Sequence, residues 1–340
     1  MLTTLAISQL QDAPKSIIPS LSALSSNVQL IGTAWLVSSA LFTTYSTTTF
    51  LKFESTSSIP GRRKMFPVDR STLLTLYRFS GSLLLGLVAH TNLNILARIQ
   101  ETLELCPTFF VPAIFLFIAN YSNSVSLDRI GISLTYTSKC AIPLVTLLLT
   151  VASDGVQALP NIKVLLTLIP IALGIATSSW NHPTFEPLGF LAAMTSCTAQ
   201  SALNVSCKKA MNKVGASGPA AQRAMVAVGL VIALAYSTIK AITHPSSSSS
   251  SLNDDGGKNM DPPASLSMAA VLAYHMEYVL SFSFVKLVQP ITYSACDAVR
   301  RLAIIISGHY MFGGPPFTLL NILGIALALS GALAYSIFNH

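Results

Sequence analysis

The chain has 340 residues, of which 51% are hydrophobic and 10% charged, with a formal charge of +7. Soluble domains carry about 25% charged residues, so this composition excludes an ordinary water-soluble fold and points to a lipid bilayer. It also excludes a nucleic-acid surface, because the basic residues are scattered over short connections with no stripe of interleaved aromatics.

Residues 1–28 are serine-rich, with Lys15 the only base and Asp12 the only acid. No compact apolar core leads to a small-residue cleavage site, so the segment reads as an N-terminal tail and not as a secretory signal. A membrane span needs about 20 apolar residues. Ten stretches qualify: 29–50, 72–93, 106–124, 130–152, 161–180, 186–206, 219–242, 264–285, 290–311 and 315–338. Residues 29–338 therefore predict an all-α membrane domain of about ten transmembrane helices. Between the first two spans, Arg62-Arg63-Lys64 reads as a solvated or headgroup-facing cluster. Between the seventh and eighth, residues 244–264 hold six consecutive serines, then Asp254, Asp255 and Pro262-Pro263, a composition that predicts a disordered connector. Lys and Arg divide evenly between the two sides, so the positive-inside rule does not set an orientation.

The five cysteines (106, 140, 197, 207, 296) lie in or beside spans without CxxC spacing. They read as small packing residues, and neither a metal, a disulfide framework nor any other cofactor is expected. There is no GxSxG turn and no paired acid suited to catalysis, so an enzyme is not expected either. Asn120-Tyr-Ser122 and Asn204-Val-Ser206 fit the glycosylation pattern by accident, since both lie in or beside a span.

The ninth span carries Asp297, Arg300 and Arg301 and then runs straight into apolar sequence at Leu302. An arginine at bilayer depth costs several kcal/mol and persists where water or an anion offsets it. Two side by side point to a carrier for an anion. A shift of 157 residues lays Thr135-Tyr136 on Thr292-Tyr293, Ala141 on Ala298 and Gly174 on Gly331. Five spans per half give halves of opposite orientation, which predicts two inverted repeats, about 29–180 and 186–338, with a substrate site between them. The repeat-matched Thr135, Tyr136 and Tyr293 are counted with that site.

The motifs Ser133-Leu-Thr-Tyr-Thr-Ser-Lys-Cys-Ala-Ile-Pro143 and Pro290-Ile-Thr-Tyr-Ser-Ala-Cys-Asp-Ala-Val-Arg-Arg301 together resemble the triose-phosphate/phosphate translocator family, within the drug/metabolite and nucleotide-sugar transporters. Supporting stretches are Leu168-Ile-Pro-Ile-Ala-Leu-Gly174 and Asn321-Ile-Leu-Gly-Ile-Ala-Leu-Ala-Leu-Ser-Gly331. The resemblance runs from about residue 107 to the C-terminus. It implies ten helices and exchange of phosphorylated three- to six-carbon metabolites for inorganic phosphate. It also implies a phosphate held by Lys139 in the fourth helix and by the Arg300-Arg301 pair, where the family has Lys-Arg. The family's substrate-binding positions in helix three fall on Asn120 and Asn123, where a His and a Thr are common. Its substrate-contacting Tyr in helix eight falls on Glu277, and its Gly-Asn before the basic pair is Cys296-Asp297 here. The clamp is kept while its surroundings differ.

Each residue also has a plainer reading. Asp297 precedes the arginines by three and four residues and can pair with either, although one carboxylate cannot neutralise both. Lys139 could snorkel, but about ten apolar residues flank it on each side. Glu277 could pair with a base, carry a coupling proton or face a polar cavity. Lys208 and Lys209 read as interfacial anchors; Arg78 reads as a second-span anchor in preference to a cavity residue, and His275 and Tyr278 as packing residues in preference to cavity lining. The expected function is an organellar antiporter for a phosphorylated metabolite and inorganic phosphate, in a plastid envelope or a Golgi or endoplasmic-reticulum membrane. Its partners are then substrate, phosphate and the lipid bilayer. The alternatives are a nucleotide-sugar or other organic-anion carrier, or a non-transporting membrane scaffold of the same fold.

Overall fold

The computed structural model describes residues 18–53, 69–88, 95–154, 162–179, 185–243, 262–288, 290–313 and 318–338. The basic cluster at 62–64 and most of the serine-rich connector lie outside the described residues. Every regular element among those described is helical. In chain order these are α1 (Ile18–Val37), a π-helical turn (Ser38–Thr43), α2 (Thr44–Leu51), α3 (Arg70–Val88) and α4 (Ile95–Leu105). Then follow α5 (Phe110–Ser138), a 3-10 turn (Lys139–Ala141), α6 (Ile142–Asp154), α7 (Ile162–Ser179) and α8 (Pro187–Val214). The chain closes with α9 (Gly218–Thr243), α10 (Ala264–Leu287), α11 (Pro290–Phe312) and α12 (Leu319–Phe338). Among the described residues, four stretches are long and apolar enough to cross a membrane: Arg70–Val88, Phe110–Thr146, Gly218–Thr243 and Ala264–Leu287.

The third and fourth spans join without an intervening loop. Gly131 has φ 75° and ψ −178°, a conformation outside any helix, and one that is essentially confined to glycine. On either side of it, Ser126 Oγ and Thr135 Oγ1 stand 2.8 Å apart. Nine residues of continuous helix would separate them by about 13 Å, so the chain doubles back at Gly131. The two spans are thus separate helices, and their boundary lies later than the gap at 125–129 expected from hydropathy. Asp128 and Arg129 sit at this reversal, and Arg129 pairs with Glu186 just before α8.

Two features were not expected. The first helix starts at Ile18, well before position 29. Residues 95–105 form a separate short helix, α4, whose Arg98 is buried and donates to the carbonyl of Leu87, 2.6 Å away, at the end of α3. Its Glu101 receives Arg223 of α9 at 2.6 Å. The helix carries Arg98, Glu101 and Glu104 in 11 residues, too many charges to read as part of a span.

Packing is tightest where side chains are absent. A Cβ on Gly174 of α7 would collide with Ala328 N of α12, and one on Gly331 of α12 would stand 2.9 Å from Ile171 N of α7. Helices in lipid associate through such small-residue contacts because hydrophobicity cannot separate protein from acyl chains. The α5–α8 pair packs as extensively.

Candidate functional site

A polar cavity of about 50 Å³ lies in the middle of the bundle. One buried water needs about 10–15 Å³ on this measure, so the space holds a few waters or an anion the size of phosphate. Its lining comes from six helices, the π-helical turn at Thr43 and the helix break at Lys139.

The break is local chemistry. Pro143 has no N–H to give to the carbonyl of Lys139, four residues earlier. The carbonyl instead receives Ile142 N–H, which tightens residues 139–141 into a 3-10 turn. Lys139 starts this turn, 8% exposed, with its Nζ 5.4 Å from the ring centroid of Tyr136. No carboxylate pairs with it among the described residues. Tyr136 lines the cavity one turn earlier, whereas Thr135 turns to Ser126 and away from the cavity.

Opposite, α11 presents Arg300, held from two sides. Its Nε and Nη2 donate to Asp297 Oδ1 at 2.9 and 2.7 Å, and its Nη1 donates to Glu277 Oε1 at 2.7 Å. The guanidinium lies 4.8 Å above the Trp35 ring, which stacks on Tyr293 at 5.1 Å. Arg301 does not line the cavity. Successive helix residues point about 100° apart, and Arg301 is buried against Asp297, donating Nε to Oδ2 at 3.0 Å. Its Nη1 has no hydrogen-bond partner among the described residues. Asp297 thus braces both arginines from behind the cavity wall.

Asn120 and Asn123 of α5 both face the cavity, as does Glu277 of α10. Asn120 Nδ2 donates to the hydroxyl of Tyr278 at 3.1 Å, and Ser281 Oγ meets the Tyr293 hydroxyl at 3.1 Å. Tyr278, expected to pack, lines the cavity. His275 does pack, with its Nδ1 2.9 Å from Ser82 Oγ.

Of its two readings for Arg78, sequence reasoning preferred the anchor, and it missed Gln200. Arg78 is not an interfacial anchor: it is 3% exposed, faces the cavity, bonds Thr47 Oγ1 and lies 5.3 Å from the Tyr274 ring centroid. No carboxylate pairs with it among the described residues. A charge in the middle of an apolar segment is the signal that marks it. Gln200 of α8 carries no such signal and is found by geometry alone. Four cations (Lys139, Arg78, Arg300, Arg301) against two carboxylates (Asp297, Glu277) leave two positive charges in and around the cavity. A phosphate carries about −1.5 to −2 at neutral pH.

The profile of the Triose-phosphate Transporter family matches residues 64–336. A phosphoenolpyruvate/phosphate translocator 2 of Arabidopsis thaliana is 26% identical over 71% of this chain and 63% of its own length. A non-green-plastid triose phosphate/phosphate translocator of Brassica oleracea is 27% identical over 64% of this chain and 54% of its own. A glucose-6-phosphate/phosphate translocator 2 of Arabidopsis thaliana is 26% identical over 70% and 60%. The matches thus span between half and two thirds of these relatives. A crystal structure at 17% identity superposes with TM-score 0.53 over 92% of this chain and 98% of its own, a likeness of fold alone.

Proposed function

The chain belongs to the Triose-phosphate Transporter family, and on that premise we propose that it is an organellar antiporter exchanging a phosphorylated small metabolite for inorganic phosphate. The observation that carries this reading is the convergence of Lys139, Arg78 and Arg300, from three separate helical segments, on one buried cavity. Such groups make charge-assisted hydrogen bonds of roughly twice the strength of neutral ones.

In the empty carrier Glu277 and Asp297 act as internal counter-ions to Arg300 and Arg301, leaving Arg78 and Lys139 uncompensated. Phosphate binding brings in the missing negative charge, and Arg300 turns from the carboxylates toward it. A carrier that must move two uncompensated positive charges through a low-dielectric interior reorients slowly when empty. Exchange in preference to uniport follows.

Two inverted halves, about 29–180 and 186–338, supply the alternating access. The reading is supported by two pairs related by 157 residues. Tyr136 and Tyr293 both line the cavity, and Gly174 and Gly331 both lie where α7 crosses α12. Relatives named as chloroplastic favour a plastid envelope over an endomembrane. A second reading, a nucleotide-sugar or other organic-anion carrier, is favoured by Glu277 and Asp297, where the resemblance leads one to expect Tyr and Asn.

Counter-exchange in proteoliposomes tests the proposal. Labelled phosphate inside should leave when three- to six-carbon phosphorylated compounds are added outside. Exit driven by nucleoside monophosphates, with none by phosphate or sugar phosphates, would overturn it in favour of the second reading.

A further inference from the structure

A second cavity, of about 340 Å³, lies beside the first along α8 and is lined by Asn204, Lys208, Lys209 and Asn212. Tyr293 and Asp297 form its inner wall. Tyr293 also faces the central cavity, and Asp297 holds Arg300, which does the same. The two spaces thus share Tyr293, and the Arg300–Asp297 ion pair links their walls.

The residues on α8 are ordered. Gln200, Asn204, Lys208 and Asn212 follow at four-residue intervals, so they share a helix face. Gln200 lines the central cavity, and its Nε2 donates to Asn204 Oδ1 at 3.1 Å, in the second cavity. The 12 residues from Gln200 to Asn212 cover about 18 Å, a little over half of the ~30 Å hydrocarbon thickness. Lys209 and Asn212 are exposed. The stripe thus runs from the central site to the end of α8. Simple anchoring would need lysines at the helix end, but not Asn204 and Gln200 continuing their face inward.

We infer that this cavity is an anion-docking vestibule, in which Lys208 and Lys209 take the phosphate group before it passes Tyr293 and the Arg300–Asp297 pair. The inference rests on the transport reading above and adds a second binding place and a route. Inorganic phosphate and the phosphate of an organic substrate present the same chemistry there, and so does a phospholipid headgroup reaching the end of α8. The commitment is to the soluble anion. Two lysines at the mouth of a low-dielectric space concentrate an anion and raise its arrival rate, and Asp297 at the inner wall is already engaged by Arg300 and Arg301.

The test has two readouts. In the first, Val205→Cys, in a background with Cys106→Ala and Cys296→Ala, is reacted with anionic and cationic methanethiosulfonates of equal size. The anionic reagent should react at least about threefold faster, millimolar phosphate should slow it, and Lys208→Gln with Lys209→Gln should remove both effects. In the second, the double lysine variant should raise the half-saturation for phosphate at one membrane face about three- to tenfold. It should do so equally in phosphatidylcholine vesicles and in vesicles with anionic lipid, while Lys139→Gln abolishes exchange altogether. No charge preference at the introduced thiol, or an unchanged half-saturation at both faces in a carrier that exchanges phosphate, overturns the vestibule alone. An effect confined to vesicles with anionic lipid overturns it in favour of a headgroup site. Phosphate protection of the introduced thiol in a protein that exchanges nothing leaves the vestibule standing and overturns the antiport reading.

Discussion

Glu277 and Asp297 hold Arg300 from opposite sides, and on the proposed transport reading the strength of that hold sets what phosphate must displace. Glu277→Gln keeps the shape and removes one charge, so phosphate affinity should rise, by up to about tenfold for a pair in contact with cavity water. Release then slows, and turnover falls even as binding tightens. Equilibrium binding and exchange rate across about pH 5.5 to 8 check this. A pH dependence present in the wild type and absent in the Gln variant would instead mark Glu277 as the carrier of a coupling proton. Arg301 acts from behind: without it Asp297 is left to Arg300 alone and grips it more fully. Arg301→Ala should therefore reduce exchange at least about tenfold while the thermal midpoint in detergent stays close to wild type, since removing a costly buried charge need not destabilise. A variant that unfolds while its residual carriers exchange at the normal rate would make Arg301 structural. Arg78→Gln should lower phosphate affinity by a similar factor, because it removes a cavity cation that no carboxylate among the described residues balances. Isothermal titration of the purified protein reads that directly.

At the scale of helices, the site depends on one interruption that a sequence displays and one that it hides. Pro143 announces the 3-10 turn that turns Lys139 inward. Gly131 announces the reversal between spans only in retrospect, because a glycine in an apolar stretch has many uses. Its position matters: the break sets the rotational phase of everything after it, and that phase sends Tyr136 to the cavity and Thr135 to Ser126. Gly131→Val would force a β-branched residue to positive φ at a cost of about 1–3 kcal/mol, seen as a lower thermal midpoint with exchange partly kept. Gly174→Val is more severe. Its side chain would collide with the backbone of Ala328 and Gly324, which cannot yield as a flexible side chain can. Folded protein recovered by size exclusion should fall to a small fraction of wild type, whereas Gly131→Val should remain largely recoverable.

For the molecule as a whole, charge balance predicts obligatory exchange. Uptake of labelled phosphate into proteoliposomes should drop to about a tenth or less when internal phosphate is omitted. Equal rates with and without it would mean that the empty carrier reorients freely. Ligand that binds the folded state alone also stabilises it by mass action, so phosphate at about 100 times its dissociation constant should raise the thermal midpoint measurably. A non-transporting scaffold would show no such rise.

Hydropathy by itself determined the membrane setting and the helical class, since a bilayer tolerates few charges and demands that backbone groups bond within a segment. Charges inside an apolar stretch located the Arg300-Arg301 pair, because burying a charge is too costly to be accidental, while Lys139 was reached through the family resemblance. Tertiary packing decided the rest. Arg78 and Lys208 both read as anchors in sequence, although depth depends on tilt and rotation that neighbouring helices impose. Packing turned Arg78 toward Thr47 and Tyr274 in the interior and left Lys208 at the wall of the outer cavity. Adjacent arginines divided in the same way. Arg300 reaches across the cavity to Glu277, while Arg301 turns to Asp297 behind its wall.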